Sequence, residues 1–373
     1  MISLELFPRG PDWTVDFDGW ERIFPALSAL RGCAGDPVHH QEGDVEVHTR
    51  MVLEAMASLP AYRGLRENER RVVTMACLFH DVAKPATVQL VEGGRVRHVG
   101  HARRGTRMAR RMLWEAGVPF REREQVCGLI RHHEVPLFAI ERDAPMEVVV
   151  RASMTARCDL LSVVARADAL GRECEDKARL LDNVALFREL CEEAGCLDTP
   201  YPFPDDHTRV AYSQLGHRPA SVRRFDDTVC EVVVMSGLPG AGKSTWIGER
   251  MRGAEVVSLD AIRRELGVLP SGDQGRVVER ARETAKGLLR SGRGYVWNAT
   301  NVSRELRDVA VGLALRYGAR VRVVYVEAPC SRLREQNRGR DAVVPDAVME
   351  RVMSRWDVPD PTEAHEVQFV VSE

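Results

Sequence analysis

The stretch SGLPGAGKST, Ser236–Thr245, directly follows the apolar run EVVVM and precedes a segment of helical character. Glycines at 237, 240 and 242 let backbone N–H groups turn inward, and a helix starting near Lys243 aims its positive dipole end at the same point. The result is a cradle for phosphate oxygens. Gly237, Gly240, Ala241, Gly242, Lys243, Ser244 and Thr245 are therefore the expected nucleotide-binding residues. Lys243 would neutralise the β- and γ-phosphates, and the Ser244 hydroxyl would sit on the Mg or Mn ion that accompanies ATP or another NTP. A glycine turn of purely structural use would leave Lys243 and Ser244 unexplained.

A cradle of this kind lies at the edge of a parallel sheet, and the residues around it agree. CEVVVMS, AEVVSL, GYVWNAT, RVRVVYVE and HEVQFVV are short β-rich runs separated by helical stretches, which predicts an α/β domain with a mainly parallel sheet over residues 229–373. Upstream the pattern changes. Segments such as VHTRMVLEAMASL, ERRVVTMACLFHDVAK and KARLLDNVALFRELCEEAG carry apolar residues at steps of three and four, predicting an all-α module over residues 1–198. Residues 199–228, with prolines at 200, 202, 204 and 219 and little periodicity, read as a connector. A chain of 373 residues has room for two such domains, each with its own core.

No apolar run approaches the ~18 residues of a membrane helix. The opening residues lack a basic, apolar, small-residue leader pattern, so a cytoplasmic location without a membrane partner is expected. The net charge of −2 gives no global argument for nucleic acid. Nine cysteines without a C-x-x-C pair read as reduced, mostly packing residues.

Phosphoryl transfer also needs a group that orients the acceptor hydroxyl and cations that offset developing charge. In VVSLDAIRRELG, Asp260 follows an apparent strand and Arg263 lies one turn further on the same helical face; the alternative is that Asp260 merely caps the helix. In YVWNATN, Thr300 and Asn301 could bond the acceptor strand or the phosphates. RLREQNRGRDAVVP sets Arg334, Arg338 and Arg340 in a segment that could close as a lid. Together these features resemble the 5′-hydroxyl polynucleotide kinases of the bacteriophage type over residues 229–373. The resemblance implies Asp260 as general base, Arg263 as a contact to the acceptor's 3′-phosphate, and Arg338 or Arg340 on the nucleotide phosphates. Where many such kinases carry Asp two residues before the Thr-Asn pair, this chain has Asn298 in NAT.

Of eleven histidines, six lie between the first predicted helix and RHHE. LFHDVAKP places His80 beside Asp81, an imidazole and a carboxylate suited to transition-metal ions, with Lys84 a turn later for a phosphate oxygen. His48, His101, His132 or His133, and Asp168 would complete a metal set drawn from five helical segments, and Arg172 follows Asp168 by one turn. The ordered series is the pattern of HD-family metal-dependent phosphohydrolases. DPVHHQEGDVEVHTRMV followed by LFHDVAKP is similar to the HD module of bacterial CCA-adding enzymes, which implies hydrolysis of 2′,3′-cyclic phosphates and 2′-phosphates. His39 and His40 could ligate, contact phosphate or order the loop. In HARRGTRMARR, Arg103, Arg104, Arg107, Arg110 and Arg111 form either a phosphate track or an ordinary solvated face.

Joined in this order, the modules resemble the bacterial HD-Pnk proteins. That resemblance implies RNA end healing, with RNA or DNA ends and an NTP as substrates, an RNA ligase acting downstream, and divalent transition metals at the histidine site; a homodimer is left open. Two other readings remain open on sequence: a metabolic HD nucleotidase fused to a small-molecule kinase, and an ATP-gated module with an inactive hydrolase.

Overall fold

Every residue from Val72 to Phe79 is buried, so the helix that carries them has no solvated face over its last two turns. It forms the axis of the first of two units, Met1–Pro202 and Phe203–Glu373, into which the computed structural model divides. The structure describes residues 2–36, 39–91, 95–269, 272–339 and 344–372. In the first unit the helices are α1 (Phe17–Ile23), α2 (Val45–Ser58), α3 (Pro60–Arg63), α4 (Glu67–Phe79), α5 (His101–Glu115), α6 (Phe120–His132), α7 (Val135–Phe138), α8 (Pro145–Ser153), α9 (Cys158–Leu170) and α10 (Lys177–Glu193). Around α4, Trp20, Leu53, Met56, Leu160 and Phe187 fill one core.

Two local features bring distant residues of this unit together. Asp44 caps α2 by accepting the Val47 N–H at 3.0 Å, which fixes His48 in the helix's first turns. Gly171, at the end of α9, lies so close to α2 that a Cβ would meet Val52 Cγ2 at 2.6 Å and the Val52 backbone nitrogen at 2.8 Å. That approach sets His48 beside Asp168. One departure from the all-α expectation is a short antiparallel hairpin, β1 (Val88–Leu90) with β2 (Val96–His98), whose three-residue strands are too brief to register as alternation. All nine cysteines are free thiols and six are buried.

The second unit is α/β. Its strands β3 (Cys230–Ser236), β4 (Val256–Ser258), β5 (Tyr295–Asn298), β6 (Ala319–Glu327) and β7 (Glu366–Val371) form one parallel sheet in the order β4-β5-β3-β6-β7. Residues 232–236 of the central β3 are buried without alternation, as expected of a strand covered on both faces. The helices are α11 (Asp206–Gln214), α12 (Lys243–Arg250), α13 (Leu259–Glu265), α14 (Gln274–Arg290), α15 (Arg304–Arg316), α16 (Cys330–Arg338) and α17 (Asp346–Met353). Val277, Ala281, Ala285 and Leu289 recur every fourth residue and turn one face of α14 into the core.

The stretch expected to be a connector is partly ordered structure. Asp205 accepts the Thr208 N–H at 2.7 Å and starts α11, which buries Val210, Ala211 and Tyr212. This helix is held within the second unit by bonds from Arg209 to the carbonyls of Pro361, Ala364 and His365, and from Gln214 to Thr362. Nine residues set among prolines are too few for a helical period to stand out. Among the described residues, no helix is long and apolar enough to cross a membrane.

Candidate active sites

Four imidazoles and two carboxylates, all buried, meet inside the first unit. His48 comes from α2, His80 and Asp81 follow α4, His101 opens α5, His133 follows α6, and Asp168 lies near the end of α9. His48 Nε2 lies 3.2 Å from Asp168 Oδ1 and 3.3 Å from His80 Nε2. The Nε2 atoms of His101 and His133 are 3.3 Å apart and lie 3.4 and 4.0 Å from Asp81 Oδ1. Asp81 Oδ2 turns the other way, 3.2 Å from His80 Nε2 and 3.7 Å from His48 Nε2.

The outer nitrogen of three of the rings is fixed by a hydrogen bond, and that of His48 lies beside a carboxylate. Nδ1 of His80, His101 and His133 contacts the carbonyls of Cys77, His98 and Ile130 at 2.7, 2.8 and 2.8 Å, and His48 Nδ1 lies 2.8 Å from Glu42 Oε1. An Nδ1–H given to an oxygen leaves Nε2 with its lone pair directed inward, the arrangement of a ligating histidine.

Among the described residues three groups could hold a metal ion: two within the cluster, the donor sets His48 with His80 and Asp168 and Asp81 with His101 and His133, and a third at its border, His40 with Glu42 and His48. Asp81 Oδ1 is buried without a hydrogen-bond partner among the described residues. Such an orphan costs ~1–3 kcal/mol, and a cation between it and the imidazoles removes that cost. Imidazole nitrogens with carboxylates suit a divalent transition ion, so the residues fit a metal centre. Burial opposes ionisation of Asp81, but Lys84 Nζ at 2.7 Å and the neighbouring imidazoles outweigh it and hold the carboxyl well below the ordinary carboxylate range. Burial pushes His133 down to about 4, which keeps its ring neutral.

The remaining predicted residues separate. His132 is turned away: consecutive helical side chains diverge by ~100°, and its Nε2 bonds Thr155 Oγ1 at 2.7 Å. His40 borders the cluster, with Nδ1 2.8 Å from Glu42 Oε1 and Nε2 3.4 Å from Lys84 Nζ, whereas His39 belongs to none of the potential metal-binding groups among the described residues. Arg172, expected to hold a phosphate oxygen, grips Asp168 through Nε and Nη2 at 2.9 and 2.8 Å. The arginines of α5 are in part used by the fold, Arg110 on Glu124, Arg111 on Glu115 and Arg104 on the Ala86 carbonyl. Glu42 escaped the sequence reading, although H-x-E lies just ahead of His48.

In the second unit the loop after β3 takes the conformation its glycines permit. Gly237, Gly240 and Gly242 have φ of 144°, 86° and 102°. A Cβ on Gly237 would meet the Val326 carbonyl oxygen at 2.2 Å, so no side chain fits there. Lys243 Nζ folds back on the carbonyls of Gly237 and Leu238 at 2.8 and 3.0 Å, while Ser244 and Thr245 are exposed on the first turn of α12 and Ala241 is buried beneath the loop. Because the sheet is parallel, β3, β4 and β5 all end at the same edge. Asp260, two residues after β4, is exposed and paired with Arg263, whose Nε reaches Gln274 at 2.9 Å.

Asn301 departs from its expected role as an acceptor ligand. Its φ is 44°, it is buried, and its amide donates to the Met235 carbonyl at 2.8 Å. Thr300 has an adjoining structural duty, its carbonyl accepting the Gly237 N–H at 3.0 Å. The Thr-Asn turn thus holds the start of the phosphate loop. Buried Arg307 reinforces it, bonding the Asn301 carbonyl at 3.0 Å and Glu363 through both Nε and Nη2.

Helix α16 runs beside the loop, since a Cβ on Gly240 would lie 3.8 Å from both Leu333 and Asn337. Arg338 is exposed at its end; Arg340 lies outside the described residues. Asn337, unforeseen in the sequence, clasps Val344 through its amide nitrogen to the carbonyl at 2.8 Å and its oxygen to the N–H at 3.0 Å.

Residues 45–173 match the HD domain family, and residues 232–359 match an AAA domain family. The chain thus carries an HD-like domain followed by an AAA-like P-loop domain. It is 30% identical over 182 residues to the Multifunctional CCA protein of Acidovorax sp. (strain JS42), covering 48% of this chain and 36% of that protein. Its similarity to the Multifunctional CCA protein of Variovorax paradoxus (strain S110) is 30% over 243 residues, covering 64% of this chain and 48% of that one. The chain thus spans half or less of the length of these curated relatives. A sugar kinase structure from Janibacter sp. HTCC2649 aligns over 38% of this chain and 84% of its own, with 18% identity and a TM-score of 0.29.

Proposed function

We propose that the two domains heal the two ends of one RNA break. The observation that carries this reading is the pairing, in one chain, of a buried histidine–aspartate centre fit for metal with a phosphate loop whose sheet edge also presents Asp260 and Arg263. In the HD domain, His48, His80, Asp81, His101, His133 and Asp168 would hold divalent transition metal. The ions would supply Lewis-acid polarisation of phosphate oxygen and activation of water. Lys84, beside Asp81, and His40, beside Lys84, meet the phosphate oxygens. Water adds at phosphorus of a 2′,3′-cyclic phosphate, the P–O3′ bond breaks, and a second hydrolysis releases phosphate from O2′.

In the kinase-like domain the loop N–H groups and Lys243 hold the NTP with Mg or Mn. Asp260 exchanges its pairing with Arg263 for the acceptor 5′-hydroxyl and takes the hydroxyl proton as oxygen attacks the γ-phosphorus. The bond to the β,γ-bridging oxygen breaks and the nucleoside diphosphate leaves, and Arg263 is freed for the acceptor's phosphate. The products, a 5′-phosphate and a 3′-hydroxyl end, are what an RNA ligase consumes.

The test is one labelled RNA carrying a 5′-hydroxyl and a 2′,3′-cyclic phosphate, incubated with ATP and Mn²⁺, with both termini resolved over time. We expect both ends to change, Asp260→Ala to block only the 5′ reaction, and His80→Ala only the 3′ reaction. Untouched RNA ends alongside rapid phosphorylation of a free nucleoside or sugar would replace this reading with a metabolic kinase.

A further inference from the structure

Glu42 lies ahead of α2, fully buried at its side chain. Three nitrogens converge on it: His40 Nδ1 at 2.8 Å and His48 Nδ1 at 2.8 Å, both on Oε1, and the Glu173 backbone N–H at 2.9 Å on Oε2. The loop is stitched to the same place a second time, because the Gln41 N–H donates to the Glu173 carbonyl at 3.0 Å. Glu173 directly follows Arg172, which grips Asp168. A single carboxylate therefore touches the outer face of one inward-facing imidazole and the backbone next to the arginine that steadies an inward-facing aspartate.

We propose that Glu42 is a positioning residue that sets the metal affinity of the His48–His80–Asp168 half of the centre and orients His40 toward Lys84. This rests on the reading of the HD domain as a metal-dependent phosphohydrolase. The chemistry follows from donor counting. For His48 to offer Nε2 inward, its proton must reside on Nδ1, and Glu42 Oε1 is the oxygen beside it, 2.8 Å away but off the line of a formed hydrogen bond. The same oxygen accepts from His40 Nδ1, which directs His40 Nε2 to the Lys84 side. A carboxylate outside a ligating histidine raises ring basicity and fixes its orientation, and loss of such a group weakens metal binding ~10–100-fold. With Nδ1 of both rings protonated, three N–H groups face Glu42, two of them hydrogen-bonded to it, so a carboxamide of identical shape must aim its NH₂ at one of them. Glu42→Gln thus changes polarity at constant volume.

The experiment titrates the metal-free full chain with Mn²⁺ by calorimetry, comparing wild type, Glu42→Gln and Glu42→Ala. Thermal melts and far-UV circular dichroism serve as folding controls. Histidine side-chain ¹⁵N spectra of the Zn²⁺-loaded chain report the ring tautomers. We expect the affinity of one Mn²⁺ equivalent to fall ~10–100-fold in Glu42→Gln, with the helical spectrum and melting midpoint retained, and one imidazole to leave the Nδ1–H form. Mn²⁺ affinity within twofold of wild type in both variants, or a lowered melting midpoint with unchanged affinity and spectra, would overturn the proposal. Because metal is the titrant, the outcome does not depend on whether RNA is the substrate.

Discussion

Asp81 directs Oδ1 toward His101 and His133 and Oδ2 toward His80, His48 and Lys84. Its replacement by alanine removes the one carboxylate of the Asp81–His101–His133 set and the oxygen beside His80 and His48, so Asp81→Ala should lower phosphohydrolase activity by at least ~100-fold, the upper range for loss of support at a metal site, as read by phosphate release. Full metal-dependent turnover in that variant would exclude the centre. Lys243→Ala should silence phosphoryl transfer while leaving phosphate release intact, since the two sites share no residue. The metal-fit residues were largely legible in sequence because each is a chemically distinctive type in an ordered series. What was not legible is direction. His132 and His133 are equivalent as letters, and only the end of α6 decides which ring faces Asp81. Asn301 reads as a ligand by type, yet its positive φ commits it to the backbone of β3.

Packing between elements sets the distances within the metal centre. Gly171 allows α9 to lie against Val52 of α2, and an added methyl must push the helices apart. Gly171→Ala has an ordinary helical φ to adopt, so its cost is steric, about 1–3 kcal/mol. We expect a lower melting midpoint for the HD domain and weaker Mn²⁺ binding, because His48 and Asp168 separate together with the helices. Helix α11 supplies a second case. His365 accepts the Val321 N–H on Nδ1 at 2.9 Å, and its Nε2 lies 3.1 Å from Nδ1 of His207 on α11. Burial, aided by Arg320 and His207, pushes His365 down to about 4 from an ordinary value near 6.5. Between those values the unfolded chain takes up a proton that the folded one refuses, so stability falls as pH falls, by up to about 1.4 kcal/mol per unit. Asn offers an acceptor oxygen without titrating. The melting midpoint of His365→Asn should therefore lose less than wild type between pH 6.5 and 4.5. Sequence periodicity revealed long elements such as α14 and missed α11 and the β1–β2 hairpin, whose lengths hold too few repeats to show a period.

At the scale of the whole molecule, the two compact units divide at residues 202 and 203, ahead of α11. A fragment comprising residues 203–373 should therefore phosphorylate as well as the full chain does. One beginning at residue 229 loses Tyr212 and every bond from Arg209 and Gln214 to residues 361–365, and should aggregate or melt well below the longer fragment. Equal thermal midpoints for the two fragments would show that α11 contributes nothing to the fold. The strand order β4-β5-β3-β6-β7 also has a temporal side. During synthesis the HD domain possesses all its internal partners once residue 202 has been made, whereas β3 must wait for β5 and β6, and the sheet is complete only with residues 366–371. Domains fold as units from the N-terminal side on a growing chain. The nascent protein thus completes its metal-fit pocket first and its phosphate loop second, so the histidine–aspartate cluster is assembled while the P-loop unit is still being translated.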